Sequence, residues 1–143
     1  MLLLAVIGTE VERAVSSGPF ALAYAAGVLG SSAAVLGFAF ITPTAGASGA
    51  LYALMAVFVA IAYRRHVDPR PAIALIAVNV VYTFIAANVS VWGHAGGLLI
   101  GALMAWPLTS PNTRVRWLTA GAALAGAAAA VAVGALPSTQ ALT

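Results

Sequence analysis

Nine charged side chains in 143 residues set the tightest limit on what this chain can become. A soluble domain carries charge on roughly a quarter of its residues to cover its surface. Here 6% are charged and 63% are hydrophobic, which places the chain in a lipid bilayer. A spanning helix needs about 20 mostly apolar residues, so there is room for four or five spans joined by short loops, and none for a sizeable water-soluble domain. The expected fold is all-α, a polytopic transmembrane helix bundle in one membrane domain over residues 1–143. The absence of cysteine excludes disulfide and thiol chemistry.

Turn residues divide the apolar sequence into segments. Met1–Ile7 is too short to span, lacks the basic start of a secretory signal, and reads as the stub of a longer helix. Gly8–Pro19 carries Glu10, Glu12 and Arg13 and reads as a polar loop. Spans are expected at about 20–41, 47–63, 72–87, 93–108 and 117–136. The first ends at Thr42-Pro43-Thr44, because proline cannot continue helical hydrogen bonding. Arg64 to Pro71 and Ser110 to Arg116 are loops, Asn88 to Trp92 is a short link, and Pro137–Thr143 is a polar tail.

All charged groups fall into alternate connections. Arg13 precedes the first full span; Arg64, Arg65 and Arg70 lie between the second and third; Arg114 and Arg116 lie between the fourth and fifth. Alternate loops share a side of the membrane, so all six arginines share one face, and the opposite loops carry no charge. By the positive-inside rule the arginine face is cytoplasmic, which gives a multi-pass protein of the cell (plasma) membrane. The isoelectric point near 10 reflects topology, not a nucleic-acid surface.

This topology has a chemical consequence. Ser48 opens the second span and His94 the fourth, and both helices begin on the uncharged side. The two residues are expected at one depth, just inside the outer leaflet. A serine at a helix start most often caps the helix. The alternative is a nucleophile: Gly46 and Gly49 permit a tight turn and a close backbone approach, and the free N–H groups of a first helical turn suit an oxyanion. A histidine at membrane depth is expensive, which makes a functional role the default; the bland alternative is a ring that snorkels to the interface or bonds a nearby carbonyl.

Proton transfer needs the hydroxyl and the imidazole within about 2.6–3.2 Å, so their helices must nearly touch. Gly97, Gly101 and Ala105 follow His94 on one helix face. Gly49, Ala53, Ala56 and Ala60 form a matching stripe, and small-xxx-small faces let membrane helices pack closely. Tyr52 lies one turn below Ser48, where its ring can pack on the imidazole. Asn79, Asn88 and Tyr82 are candidates for hydrogen bonds between helices. His66 lies in a basic loop on the other face and is expected to be solvated. Two histidines on opposite membrane faces cannot share an ion, so no metal site is expected, and no cofactor motif occurs.

Gly46-Ala47-Ser48-Gly49, with Tyr52 following, resembles the G-x-S-G signature of the rhomboid family of intramembrane serine proteases. His94-Ala95-Gly96-Gly97-Leu98-Leu99-Ile100-Gly101 resembles that family's H-x-x-G-x-x-x-G helix, and Gly8-Thr9-Glu10-Val11-Glu12 is similar to its G-x-x-x-E segment. The matches stand in family order between Gly8 and Leu108. The resemblance implies a Ser-His dyad. Ser48 is the nucleophile and His94 the general base; Tyr52 stacks on the histidine, and the Ser48 backbone N–H contributes to the oxyanion hole. The substrates it implies are transmembrane segments of other membrane proteins, cut near the outer leaflet where a helix unwinds.

The resemblance also implies a first helix, a membrane-embedded loop and an H-x-x-x-N helix ahead of residue 1. By this reading the chain is N-terminally truncated and weakly active alone, since one lost oxyanion donor costs roughly a hundred- to a thousandfold. The rival reading within the same fold is a catalytically inactive rhomboid-like protein that binds transmembrane helices. A transporter or channel subunit would need polar side chains along the bundle interior, and the spans hold few.

Overall fold

The computed structural model describes residues 2–39, 47–86 and 89–136. They form six helices: α1 (Leu2–Val15), α2 (Ser17–Phe38), α3 (Ser48–Arg64), α4 (Arg70–Ile85), α5 (Val91–Leu108) and α6 (Thr113–Gly134). The described residues contain no strand, and the chain is an all-helical membrane bundle. Gly46, the Thr42–Gly46 break, Asn88 and the tail lie outside the described residues. By length and composition α2, α5 and α6 can each cross a membrane, while α3 and α4 are shorter apolar helices.

The Gly8–Pro19 segment corrects the sequence reading. It is not a loop: α1 continues through Glu10, Glu12 and Arg13 to Val15, and α2 starts at Ser17. The charges misled because they occupy one side of an amphipathic helix. Ile7, Val11 and Val15, four residues apart, are buried in the core, while Glu10 and Arg13 form an exposed ion pair at 2.9 Å. The reversal takes a single residue, Ser16, at φ 77°.

Glycine contacts and polar ties give the helix directions. A Cβ on Gly97 of α5 would run into the backbone of Gly49 on α3, and one on Gly101 would lie 2.5 Å from the Ala53 carbonyl oxygen. One turn forward on α5 thus matches one turn forward on α3, so these helices run parallel. Their far ends are tied as well. Arg64 at the end of α3 donates from Nε to Thr109 Oγ1 and from an Nη to the Trp106 carbonyl, both at 2.8 Å. Its guanidinium also lies 4.3 Å from the Trp106 ring centroid, a cation–π arrangement.

Helix α2 runs the opposite way across both. Gly27 packs on Ala50 and Ala53, Gly30 on Ile100, and Phe38 stacks on Trp92 at 4.6 Å. A Cβ on Gly96 would meet the Gly30 carbonyl at 2.6 Å. The small-residue stripe is therefore shared by three helices, and Gly27 and Gly30 of α2 complete it. Farther along, the stripe diverges: Ala56, Ala60 and Ala105 border a groove of about 330 Å³ that also reaches Ile73 and Ile76 of α4. Helix α6 lies along α2 in the same direction, Trp117 beside Gly18 and Gly134 beside Leu36.

Leu54, Met55, Val57, Met104 and Leu108 fill the centre together with the apolar face of α1. Outward, the bundle shows lipid what a soluble protein hides: Val78, Phe84, Ile85, Leu99, Leu103 and Leu118 are all exposed. Such a contiguous apolar exterior suits a hydrocarbon solvent.

Because Gly101 faces backbone, Gly101→Val should cost about 3 kcal/mol or more, as overpacking with no flexible neighbour to yield does. At Gly121, where an added Cβ meets nothing within 4 Å, Gly121→Ala should leave stability unchanged or slightly raised. Thermal unfolding of the two variants in detergent checks the contrast.

Candidate active site

Helix α3 is capped by Ala47, without a side-chain hydrogen bond. Ser48 therefore occupies the first helical position and is not the cap. Its side is exposed at the helix end. The first amide of α3 to find a helical carbonyl is Leu51, which bonds Ala47 O at 3.1 Å. The amides ahead of it belong to the first turn, whose N–H groups lack partners within the helix.

Helix α5 opens on Ser90, whose Oγ accepts from the Gly93 amide at 3.0 Å and caps it. His94 follows in the first turn, half-buried. Its ring stacks on that of Tyr52 with centroids 4.1 Å apart and planes 20° from parallel. Tyr52 is 2% exposed, so a rigid wall backs the imidazole. The residues beside the two candidates adjoin: a Cβ on Gly49 would lie 3.2 Å from the Gly93 carbonyl oxygen and would overlap Ser31 Oγ of α2. Ser48 and His94 thus stand at the same end of two helices in backbone contact.

A third polar group completes the cluster. Thr83, near the end of α4 and 5% exposed, places its Oγ1 2.7 Å from Tyr52 Oη and 2.7 Å from His94 Nδ1. The same hydroxyl reaches back to the Asn79 carbonyl at 2.9 Å. Beside these groups lies an apolar cavity of about 140 Å³, bordered by Val80, Phe84, Val91 and Leu98.

Of the sequence candidates, Tyr52 and His94 meet at this point, Gly49, Gly97 and Gly101 line the α3–α5 contact, and Ser48 opens α3 at the same end. Gly46 lies outside the described residues. His66 sits in the turn after α3, at the other end, with φ 54°. Among the described residues no three His, Cys, Asp or Glu side chains come together to hold a metal. Among the described residues, Asn79 and Tyr82 do not make the bonds between helices expected of them. The Asn79 amide donates to Leu75 O within its own helix at 2.8 Å, and Tyr82 is 62% exposed toward lipid. Thr83 makes the cross-helix bonds instead. The signal was available: Asn79 and Thr83, four apart, share a helix face, and only one side of α4 can face the bundle. Ser31 was missed for a different reason, since α2 is apolar or small on every side and offers no face to read.

Polar side chains gathered at one buried point, inside a bundle that is apolar all round, define a multi-pass membrane protein with an intramembrane polar site. The chain belongs to the rhomboid family: residues 1–111 match the Rhomboid domain. It is 36% identical over 112 residues to "Rhomboid protease GluP" of Bacillus subtilis (strain 168). That alignment covers 74% of this chain and 22% of the relative, so the chain spans about a fifth of the relative's length. No solved structure gives a significant match.

Tyr52→Phe keeps the stacked ring and deletes the bond to Thr83. It should destabilise the bundle by about 0.6–1.7 kcal/mol, the range for polar bonds between membrane helices. A double-mutant cycle with Thr83→Val, read by unfolding in detergent, should be non-additive by a similar amount.

Proposed function

We propose that this chain is the core of an intramembrane serine endopeptidase that cleaves transmembrane segments of other membrane proteins. Ser48 is the nucleophile and His94 its general base. One observation carries this reading: two parallel helices in backbone contact present the serine and the histidine at one end, with the imidazole stacked on buried Tyr52. Membership of a family that includes a rhomboid protease supports the same chemistry.

In this mechanism Ser48 Oγ attacks the scissile carbonyl carbon and its proton passes to His94. The carbonyl oxygen becomes an oxyanion beside the first turn of α3, where the Ser48 N–H and the positive end of the helix dipole stabilise it. Gly49, without a side chain, lets α3 close on Gly93 and Ser31 and so keeps Ser48 beside the histidine helix; Gly46 belongs to the same glycine-serine motif. The C–N bond then breaks, and His94 returns its proton to the leaving amine. Water, deprotonated by the same ring, releases the acyl group from Ser48. No third carboxylate takes part.

The substrate must arrive extended. In a helix the scissile amide is hydrogen-bonded and shielded by its own turn, so transmembrane segments with small or helix-breaking residues near the outer leaflet are the favoured class. The arginine-bearing ends of the helices face the cytoplasm of a plasma membrane, which sets the site toward the outer leaflet.

Expressed in membranes with a single-span reporter, the protein should release a cleaved fragment, and Ser48→Ala and His94→Ala should each reduce cleavage to background. A fluorophosphonate probe should label Ser48 and fail on Ser48→Ala. Cleavage that survives either substitution would remove the dyad, whereas helix binding without cleavage or labelling would leave an inactive rhomboid-like binder.

A further inference from the structure

We propose that Thr83 is a positioning residue that fixes His94 as its Nδ1–H tautomer, leaving Nε2 as the ring's only proton acceptor. The inference follows from counting protons at one oxygen. A threonine hydroxyl has one hydrogen to donate and two lone pairs that accept. Thr83 Oγ1 has three polar neighbours: the Asn79 carbonyl at 2.9 Å, Tyr52 Oη at 2.7 Å and His94 Nδ1 at 2.7 Å.

A carbonyl oxygen can only accept. The Thr83 hydrogen therefore points at Asn79 O, because any other placement would set two oxygen lone pairs against each other across 2.9 Å. Both Thr83 lone pairs are then left to accept. Tyr52 supplies its phenolic hydrogen to one, and His94 supplies a hydrogen from Nδ1 to the other. One arrangement satisfies all three contacts, and it requires Nδ1 to be protonated. In a neutral imidazole the other nitrogen, Nε2, then carries the lone pair.

The consequence for the ring is twofold. Tyr52 holds the plane of the imidazole through the stack, and Thr83 holds its rotation about that plane and the position of its proton. Thr83 thereby does what the buried carboxylate does for the histidine of a Ser-His-Asp triad, namely tautomer and orientation, without bringing a charge into lipid, where a carboxylate is costly. The catalytic meaning of this lock rests on the reading of Ser48 and His94 given above; the tautomer itself does not.

The decisive experiment is ¹⁵N NMR of histidine-labelled protein in lipid bilayers, in a His66→Gln background so that His94 is the single labelled ring. The expected spectrum has a protonated-type nitrogen at Nδ1 and an unprotonated-type nitrogen at Nε2. Thr83→Val, close in shape but without the hydroxyl, should shift the ring to a tautomer mixture or to Nε2–H. Thr83→Ser should restore the wild-type pattern. In a cleavage assay Thr83→Val should lower kcat by at least about tenfold with KM little changed. The bound is the roughly 10⁴-fold loss caused when a triad histidine takes the wrong tautomer. Thr83→Ser should recover most of the rate.

An Nε2–H signal in the unsubstituted protein overturns the proposal outright, even if every Thr83 variant fails to fold. A wild-type spectrum and rate in Thr83→Val overturn it equally. Should the protein neither cleave nor take the fluorophosphonate, the protease reading falls while the spectrum still decides the tautomer. If Ser48→Ala and His94→Ala are dead and Thr83→Val is normal in both readouts, the Thr83 assignment alone falls.

Discussion

The bundle depends on the backbone contact between α3 and α5. At Gly97 against Gly49, and again at Gly101 against Ala53, no side chain separates the two helices. Lipid tails are as apolar as leucine, so burial of apolar surface gives membrane helices little reason to associate, and close van der Waals approach has to supply it. Alanine and glycine make that approach possible, and α2 enters the same contact with Gly27 and Gly30. The proposed chemistry would be a by-product of this packing. Helices that touch along their small faces must bring together whatever stands at their ends, and here those ends carry Ser48 and His94.

The sequence made much of this legible, for a physical reason. Charge is so expensive in hydrocarbon that the arginines gather toward one end of the bundle, and that asymmetry places the starts of α3 and α5, with Ser48 and His94, at the other. Glycines in register at steps of four identify the contact faces, and Tyr52 falls one turn from Ser48. Where the sequence misled, local polarity was taken for exposure to water. Glu10, Glu12 and Arg13 look like a loop because three charges crowd four positions, yet they occupy the outer side of a helix whose inner side buries Val11 and Val15. Asn79 looks like a cross-helix donor because it is the most polar residue in the apolar stretch of α4 that follows Arg70. Its amide satisfies itself on Leu75 O, and the smaller hydroxyl of Thr83 makes the connection.

Helix α4 explains why Thr83 was hard to see. It packs against the bundle less extensively than α2, α3 and α5 pack against one another, and most of its large side chains, Val78, Val81, Phe84 and Ile85 among them, face outward. Its apolar residues do not favour one side strongly enough to reveal the inner face. A single hydroxyl, bonded to α3 through Tyr52 and to α5 through His94, supplies the polar attachment of this helix near the site. The alignment of the imidazole therefore depends on the placement of the most loosely held of the helices that meet at it.

The clasp formed by Arg64 around Trp106 and Thr109 acts as a gauge on the opposite end of the molecule. Two rods held only by smooth, small-residue faces could slide by one turn, about 5.4 Å, and still find glycines and alanines to rest on. Such a slip would carry the imidazole off the tyrosine ring altogether. Anchoring the rods at their far tips removes that freedom, so a guanidinium at the arginine-bearing end sets the distance between two groups that lie across the thickness of the bilayer.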